Sequence, residues 1–287
     1  MQVGTVAEIR RYPVKSLAGE RLDEVHLGEN GLPGDRAWAV RDEVRGGIRG
    51  AKKIPALMEL ASRYVKPPAA TGSSPAEIVL PGGETLDTGA EDVNERLSKA
   101  IGHDVSLWPL LPPDALDHYR RGAPTHEDML EELRAIFGRT PDEPLPNLGL
   151  FPPEVMEFES PPGTYFDVFP LMLMSDVSLR TMSERAPDSR FDVRRFRPNF
   201  LISADHDSEP FPELAWRDRS LRVGEARIDV TVECPRCVMT THGFDDLPKD
   251  PQIMRALVRE AEGNLGVYAK VGEPGLVRAG DAVELLD

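Results

Sequence analysis

The stretch Leu221-Arg-Val-Gly-Glu-Ala-Arg-Ile-Asp-Val-Thr-Val232 runs almost directly into Cys234-Pro-Arg-Cys237. Apolar residues alternate from Ile228 to Val232 with the two-residue period of a strand, and Gly224 with Glu225 supplies a turn before them. The sequence therefore predicts a β-hairpin whose second strand ends at the two cysteines of the chain.

Strand patterns recur on both sides of this hairpin. Further strands are predicted at residues 3–9, 24–27, 37–40, 76–80, 105–109, 165–174, 200–203, 265–271 and 276–286. Helices are predicted at residues 93–101, at 129–137, after a cap at Ser175, and at 251–262, with Gly102, Gly138 and Gly263 as stop signals. The pattern predicts an α+β fold that is predominantly β, with two β-rich parts and a few peripheral helices.

Composition excludes several classes of protein. The 287 residues are 40% hydrophobic and 29% charged, as in a globular protein, and contain no apolar run near the ~20 residues of a membrane span. With 49 acidic against 34 basic residues the net charge is −15, which opposes general binding to nucleic acid. An anionic ligand would need a local cluster of Arg and Lys. The polar start lacks the features of a signal peptide and favours a cytoplasmic protein.

Residues 111–163 form a Pro-rich acidic connection between the two parts. From residue 112 onward this segment holds 11 acidic and 4 basic residues. Thr125 with Asp128 resembles a capping box, and an apolar stripe from Met129 to Phe137 predicts one short helix. The acidic surface is one candidate docking site for a partner protein, although solvated charge without a partner also explains it.

The motif Cys234-Pro-Arg-Cys237 allows four interpretations. It could be half of a zinc site, although His242 is the only nearby histidine. It could be a redox pair, but such a pair should open a helix, and Val238-Met-Thr-Thr is expected to continue extended. It could be two inert cysteines. It could also supply a thiolate to a transition metal carried by a cofactor, with Arg236 holding an anion beside it.

Three other short motifs present cations at the ends of predicted strands. They are Tyr12-Pro-Val-Lys-Ser16, Gly34-Asp-Arg36 and Phe196-Arg-Pro-Asn199. A guanidinium offers a planar fork for phosphate or carboxylate. Each motif alone is better explained by a surface turn or ion pair.

Taken together and in order, these motifs resemble the molybdenum-cofactor sulfurase C-terminal (MOSC) proteins. The resemblance is carried by Tyr12 to Ser16, Gly34-Asp-Arg-Ala-Trp38, Phe196 to Asn199, Cys234-x-x-Cys-Val-Met-Thr-Thr and Gly280-Asp-Ala-Val. It is nearest to the branch that includes the amidoxime reducing component. It implies an N-terminal MOSC β-barrel domain at 1–110, the unmatched connection at 111–163, and the MOSC domain at 164–287.

Carried over position by position, the resemblance implies that Cys237 is the catalytic thiolate and the molybdenum ligand. It also implies that the pterin cofactor is bound by Lys15, Ser16, Arg36, Asp167, Arg197, Asn199, Arg236 and Tyr268. Converging cations are what an anionic pterin phosphate needs in an acidic protein. The chain departs from the branch at Val168, Phe169 and Pro235, where small hydroxyl residues are usual.

The resemblance implies a molybdenum-cofactor oxidoreductase that reduces N-hydroxylated small molecules by removing their oxygen atom at the metal. His242 is a candidate proton donor. Four extra cysteines for an iron-sulfur cluster are missing, so the expected electron donor is a separate flavin or iron-sulfur protein. Pyridoxal phosphate is not expected to bind here and would act only through a separate sulfurase. The alternative is a non-catalytic carrier of molybdenum cofactor or sulfur.

Overall fold

Strands dominate the computed structural model, which describes residues 1–205 and 209–286. The strands are β1 (Gln2–Arg11), β2 (Glu20–Leu22), β3 (Glu24–Leu27), β4 (Trp38–Asp42), β5 (Ala61–Arg63), β6 (Glu77–Val79), β7 (Thr85–Asp87), β8 (Val105–Pro109), β9 (Leu171–Ser175), β10 (Phe200–Ala204), β11 (Ser220–Val223), β12 (Ala226–Pro235), β13 (Asn264–Glu273), β14 (Gly275–Arg278) and β15 (Ala282–Leu285). The α-helices are α1 (Val93–Ile101), α2 (Leu116–Tyr119), α3 (Met129–Phe137), α4 (Asp176–Arg185), α5 (Val193–Phe196) and α6 (Gln252–Ala261).

Seven strands close into a barrel in the order β10-β9-β13-β12-β11-β15-β1. The ring closes because β1 pairs with β15 on one side and with β10 on the other, with Ile9 opposite Phe200. The β10–β9 pair is parallel, and β2 extends the ring from β1. Closure satisfies the backbone of both edges, as a barrel requires. Alternating residues of the strands fill the interior, including Val6, Leu173, Ile202, Ile228 and Val267.

The rest of the N-terminal part packs beside this barrel. Strands β4 and β8 pair, and β5, β6 and β7 form a small sheet. Helix α1 buries Val93, Leu97 and Ile101 against them, at the spacing of four that the sequence shows. The α+β class, with two β-rich parts, is confirmed. The two parts share strands, because β1 belongs to the barrel formed mainly by the second half and β3 pairs with β14.

The four predicted helices form as α1, α3, α4 and α6. Ser175 accepts from the N–H of Val177 at 3.1 Å as the predicted cap of α4. The capping box before α3 is wrong in detail. The cap is Asp128, which accepts from the N–H of Glu131, whereas the N–H of Thr125 donates to Glu132 at 3.1 Å.

The predicted strand at 165–174 is half wrong. Only its second half forms, as β9, and residues 165–170 are irregular. The side chain of Lys15 explains the difference, because its ammonium donates to the Tyr165 carbonyl and to Asp167. Pro170 then offers no N–H for a strand ladder. The residues lost from the strand become part of the site described below.

The strand pair that closes the barrel is too tight for a side chain at Gly4. A Cβ there would collide with the carbonyl oxygen of Ser203 in β10. We expect Gly4→Ala to lower the free energy of unfolding by about 1–3 kcal/mol, because backbone must move to relieve the clash. The midpoint of urea unfolding measures the loss.

Gly28→Ala is the matched control for Gly4→Ala. Its Cβ would lie 3.9 Å from the nearest neighbouring atom, the Gly31 carbonyl oxygen. The Gly28 variant should unfold within about 0.5 kcal/mol of the wild type. Equal stability of the two variants would contradict the close contact between β1 and β10 at Gly4.

Candidate active site

All nine residues implied by the resemblance line one cavity of about 370 Å³ between the barrel and the N-terminal part. They are Lys15, Ser16, Arg36, Asp167, Arg197, Asn199, Arg236, Cys237 and Tyr268. Its volume is in the range of small-molecule sites. Residues separated by up to 253 positions in the chain therefore meet in one place.

The cavity is positively charged although the protein is strongly acidic. Nine cationic and three acidic side chains line it, whereas the whole chain has a net charge of −15. The cations are Lys15, Arg36, Arg49, Lys52, Lys53, Arg121, Arg195, Arg197 and Arg236, and the acids are Glu132, Glu159 and Asp167. These clustered positive charges create a local electrostatic potential that attracts an anionic ligand.

Lys15 is buried and held by three acceptors. Its Nζ donates to Ser160 Oγ at 3.1 Å, to the Tyr165 carbonyl at 2.8 Å and to Asp167 Oδ1 at 3.0 Å. Burial lowers the pKa of Lys15, and the charge of Asp167 opposes that shift. The lysine thus fixes the irregular segment that replaces the predicted strand.

Lys52 is a cavity residue that the sequence analysis missed. Its Nζ lies 3.3 Å from Asp167 Oδ1, so one carboxylate joins two ammonium groups. Burial opposes the charged form of Lys52, but Asp167 and Cys237 outweigh burial and raise its pKa. Burial likewise opposes ionisation of Asp167, yet Lys15 and Lys52 hold the pKa of that carboxyl well below its usual value.

Tyr12 separates two guanidinium groups. Arg197 lies 4.1 Å and Arg36 4.9 Å from the centre of its ring, both in cation–π geometry. Asp35 forms an ion pair with Arg36 and holds that guanidinium group in place. Arg197 Nη1 donates to the Leu17 carbonyl at 2.6 Å. Burial lowers the pKa of Arg197 to about 10.

Three of the cavity residues adopt left-handed backbone conformations. The φ angles are 73° at Ser16, 49° at Arg36 and 59° at Arg197. Such conformations cost about 1–3 kcal/mol for residues other than glycine and cluster at functional sites. Arg197 adopts its conformation where it ends the short helix α5, so the chain reverses there and enters β10.

The two cysteines have different surroundings. Cys234 is the penultimate residue of β12 and is 2% exposed. Arg236 Nη1 donates to its sulfur at 2.9 Å. Burial raises the pKa of Cys234. Cys237 is half-buried and lies outside the strand. The expectation of an extended chain after Cys237 is wrong. Val238–Thr241 forms a 3-10 turn, and the Thr240 hydroxyl donates to the Cys237 carbonyl.

Asn199 and Tyr268 support the wall of the cavity. Asn199 Nδ2 donates to the Arg10 carbonyl at 3.3 Å and to Asp35 Oδ2 at 3.1 Å, and its Oδ1 accepts from the N–H of Met172. Its amide is therefore engaged within the fold. Tyr268 lies 5.7 Å from Phe169 between ring centres, and burial raises its pKa. Phe169, Val168 and Pro235, where the chain departs from the family, also line the cavity.

Two family models match the chain over most of its length. The MOSC N-terminal β-barrel domain matches residues 3–108 and the MOSC domain matches residues 163–284. The chain belongs to the MOSC-domain family. The segment between the two matches corresponds to the acidic connection.

Curated relatives of this MOSC protein include amidoxime reducing components. The mitochondrial amidoxime reducing component 2 of Homo sapiens is 26% identical over 98% of this chain and 83% of its own length. The mitochondrial amidoxime-reducing component 1 of Mus musculus is 24% identical over 99% and 83%. A crystal structure of the YUAD protein from Bacillus subtilis aligns over 99% of this chain and 96% of its own, with 12% identity and a TM-score of 0.45.

The structure of the MOSC protein bears on two further sequence hypotheses. Within residues 1–205 and 209–286, no group of three or more His, Cys, Asp or Glu is placed to hold a metal ion, so the zinc half-site finds no partners. His242 is buried outside the cavity lining and contacts the Ala51 carbonyl at 3.1 Å, and burial lowers its pKa. The structure therefore places His242 away from the cavity lining, where its predicted role as proton donor would require it to be.

Many carboxylates of the acidic connection are engaged in ion pairs. Glu132 pairs with Lys53, Glu143 with Arg255, and Glu157 with Arg120. The first two pairs tie the segment to Lys53 and Arg255 outside it, and the pair of Glu157 with Arg120 lies within the segment. None of the helices in the described part is long and apolar enough to cross a membrane.

Asp167→Asn should destabilise the protein near neutral pH by about 1–2 kcal/mol. Lys15 would remain buried without its ion partner, and the cost is moderated because the Asp167 side chain is 39% exposed. A carboxyl whose folded pKa is depressed stabilises the fold above its unfolded pKa of about 4, and this contribution disappears as the pH falls through the folded value. Urea unfolding from pH 7 to pH 2 should therefore show the two proteins converging in acid.

Glu157→Gln provides the control, because Glu157 pairs with Arg120 on the surface with both side chains about half exposed. Its effect should stay below about 1 kcal/mol at every pH. A constant gap between Asp167→Asn and the wild type down to pH 2 would disprove the assigned pairing.

Proposed function

We propose that the protein binds molybdenum cofactor at the cationic cavity and reduces N-hydroxylated small molecules. One observation carries the proposal: the half-buried thiol of Cys237 lines the same cavity as nine cationic side chains, in a protein with a net charge of −15. The names of the curated relatives point to the same class of substrate, amidoximes.

The donors of the cavity fit an anionic pterin. Arg197 Nη2 and Arg236 Nε are buried N–H groups without a hydrogen-bond partner in the fold. Unsatisfied buried donors are costly, and a phosphate or a pterin oxygen would satisfy them. Cys237 would be the metal ligand rather than Cys234, whose thiol is buried against Arg236.

The remaining residues prepare the site around these ligands. Bound molybdenum would supply two-electron oxygen-atom transfer, which no side chain of the protein can perform. Lys52 Nζ keeps its proton at neutral pH and places a positive charge near Cys237, while Asp167 holds it in position. Lys15 and Tyr12 fix the loops that carry Ser16, Arg36 and Arg197.

Electrons would come from a separate flavin or iron-sulfur protein, because the cysteines of the chain are the two at the cavity. The surface of the acidic connection stays one candidate docking site for that donor, and solvated charge without a partner stays the alternative. A cytoplasmic location also stays a prediction.

Protein purified from a host that makes molybdenum cofactor should contain about one Mo and one pterin per chain. With a chemical reductant it should convert benzamidoxime to benzamidine. Elemental analysis, pterin fluorescence and chromatography of the product measure the three quantities. Mo and pterin without reduction would favour the cofactor-carrier alternative, and absence of both would contradict the proposal.

Cys237→Ser should lower retained Mo and reductase activity by about 100-fold or more, because a hydroxyl is a poor substitute for a soft thiolate ligand. Cys234→Ser should keep most of the Mo and activity, since the serine oxygen can still accept from Arg236. Circular dichroism of both variants checks the fold. Equal losses from the two substitutions would point to a dithiol mechanism and away from a single ligand.

A further inference from the structure

The acidic connection contributes an apolar surface to the cavity that the resemblance did not imply. We call it the apolar wall and define it by Leu133, Ile136, Phe137, Phe151, Val155 and Met156. The first three lie on α3. Phe151 follows the 3-10 turn Leu148–Leu150, and Val155 and Met156 lie on the 3-10 turn Pro153–Met156. No cysteine or cation of the cofactor-binding set comes from this segment, so its contribution to the cavity is of another kind.

Helix α3 does not bury its apolar stripe in the protein core. Its one buried side chain is Glu132, whereas Leu133, Ile136 and Phe137 are half-buried and face the cavity. An amphipathic helix of a globular protein normally packs such a stripe against other apolar residues. Met156 is 49% exposed on the same wall. The apolar surface is therefore available to a ligand in the cavity.

An ion pair and a hydrogen bond from an arginine fix this wall in place. Lys53 Nζ lies 2.6 Å from the carboxylate of Glu132, which also accepts from the N–H groups of Thr125 and His126 at 3.1 Å. At the other end of α3, Arg255 donates to the carbonyl of Gly138. The wall is thus held at both ends of its helix rather than by burial of its apolar residues.

The wall adjoins the segment that carries the thiol. A Cβ at Gly138 would lie 3.4 Å from the Cα of Val238, the residue that follows Cys237. Helix α3 therefore ends against the 3-10 turn next to the proposed metal ligand. A molecule that reacts at Cys237 would extend along this helix.

The charges of the connection that reach the cavity are mutually neutralised. Arg121 forms an ion pair with Glu159, and Glu132 forms its pair with Lys53. The wall therefore offers hydrophobic contact without net charge, in contrast to the cationic face formed by the barrel and the N-terminal part. Apolar contact of this type contributes in proportion to the area removed from water.

We propose that the apolar wall binds the uncharged hydrophobic body of the substrate, while its N-hydroxylated end faces Cys237. The inference rests on the proposed function and names its substrate class: neutral aromatic or alkyl N-hydroxylated compounds rather than small polar ones. Leu133, Ile136 and Phe151 are its specificity-determining residues.

Binding of non-reacting amides tests the wall without any turnover. Titration calorimetry on the full chain should show that 4-butylbenzamide binds more tightly than benzamide, by about fourfold for each added methylene that the wall buries. Leu133→Gln should remove this dependence on chain length. Leu130→Gln is the matched control, because Leu130 lies on the same helix, is 51% exposed and is outside the cavity lining.

A second pair of variants guards against misfolding of α3. Phe151→Ser changes the wall, and Leu150→Ser changes its neighbour, which is 43% exposed and outside the lining. Only Phe151→Ser should weaken 4-butylbenzamide binding, by about tenfold. Equal binding of benzamide and 4-butylbenzamide by the wild type, or equal losses in the wall and control variants, would overturn the proposal.

Activity measurements separate this proposal from the one it rests on. In a 4-alkylbenzamidoxime series, kcat/KM should rise with chain length in the wild type and stay flat in Leu133→Gln. If no member of the series is reduced but the amides still bind with the expected length dependence, the proposed reductase function fails and the apolar wall is supported. If the series is reduced but neither kcat/KM nor amide affinity changes with chain length, the reductase function is supported and the apolar-wall proposal fails.

Discussion

The buried carboxylate of Asp35 is the interaction on which the site depends. It accepts from the N–H of Tyr12 at 2.7 Å, pairs with Arg36, and accepts from the amide of Asn199 at 3.1 Å. Tyr12 follows β1, and Asn199 precedes β10, so one side chain connects two barrel strands and the N-terminal part. A buried charge is tolerated only when partners of this kind surround it. Its loss would release Arg36, one of the two guanidinium groups that flank Tyr12.

The arrangement keeps cations close together despite their mutual repulsion. Tyr12 separates Arg36 from Arg197, and Asp167 separates Lys15 from Lys52. Ser16, Arg36 and Arg197 have left-handed backbone conformations, which are unfavourable for residues other than glycine and persist because the surrounding structure imposes them. The site is therefore strained and incompletely neutralised by itself. An anionic ligand that satisfies the free donors of Arg197 and Arg236 would add stability as well as chemistry.

Much of this could be predicted from the sequence, because the site residues lie in short motifs at strand ends and the hairpin before Cys234 has a clear period. Lys52 lies in a loop without periodicity, and only the fold brings it to Asp167. The stripe of α3 was predicted, but its position beside the cavity depends on the ion pair of Glu132 with Lys53, 79 residues earlier. Such long-range contacts leave no local pattern. The strand at 165–170 was wrong for the same reason, since it is lost to contacts with Lys15.

The position of β1 in the ring has a consequence for biosynthesis. Its end, at residues 9–11, pairs with the nearby β2, but its neighbours in the ring are β10, at residues 200–204, and β15, at residues 282–285. Residues 2–8 of the first strand to leave the ribosome must therefore wait for β10 and for the last strand, β15, before their barrel hydrogen bonds can form. Contacts so distant in sequence slow folding. While the chain grows, residues 2–8 of β1 form an unpaired edge exposed to other nascent chains, and a chaperone that shields this edge until termination would favour correct closure.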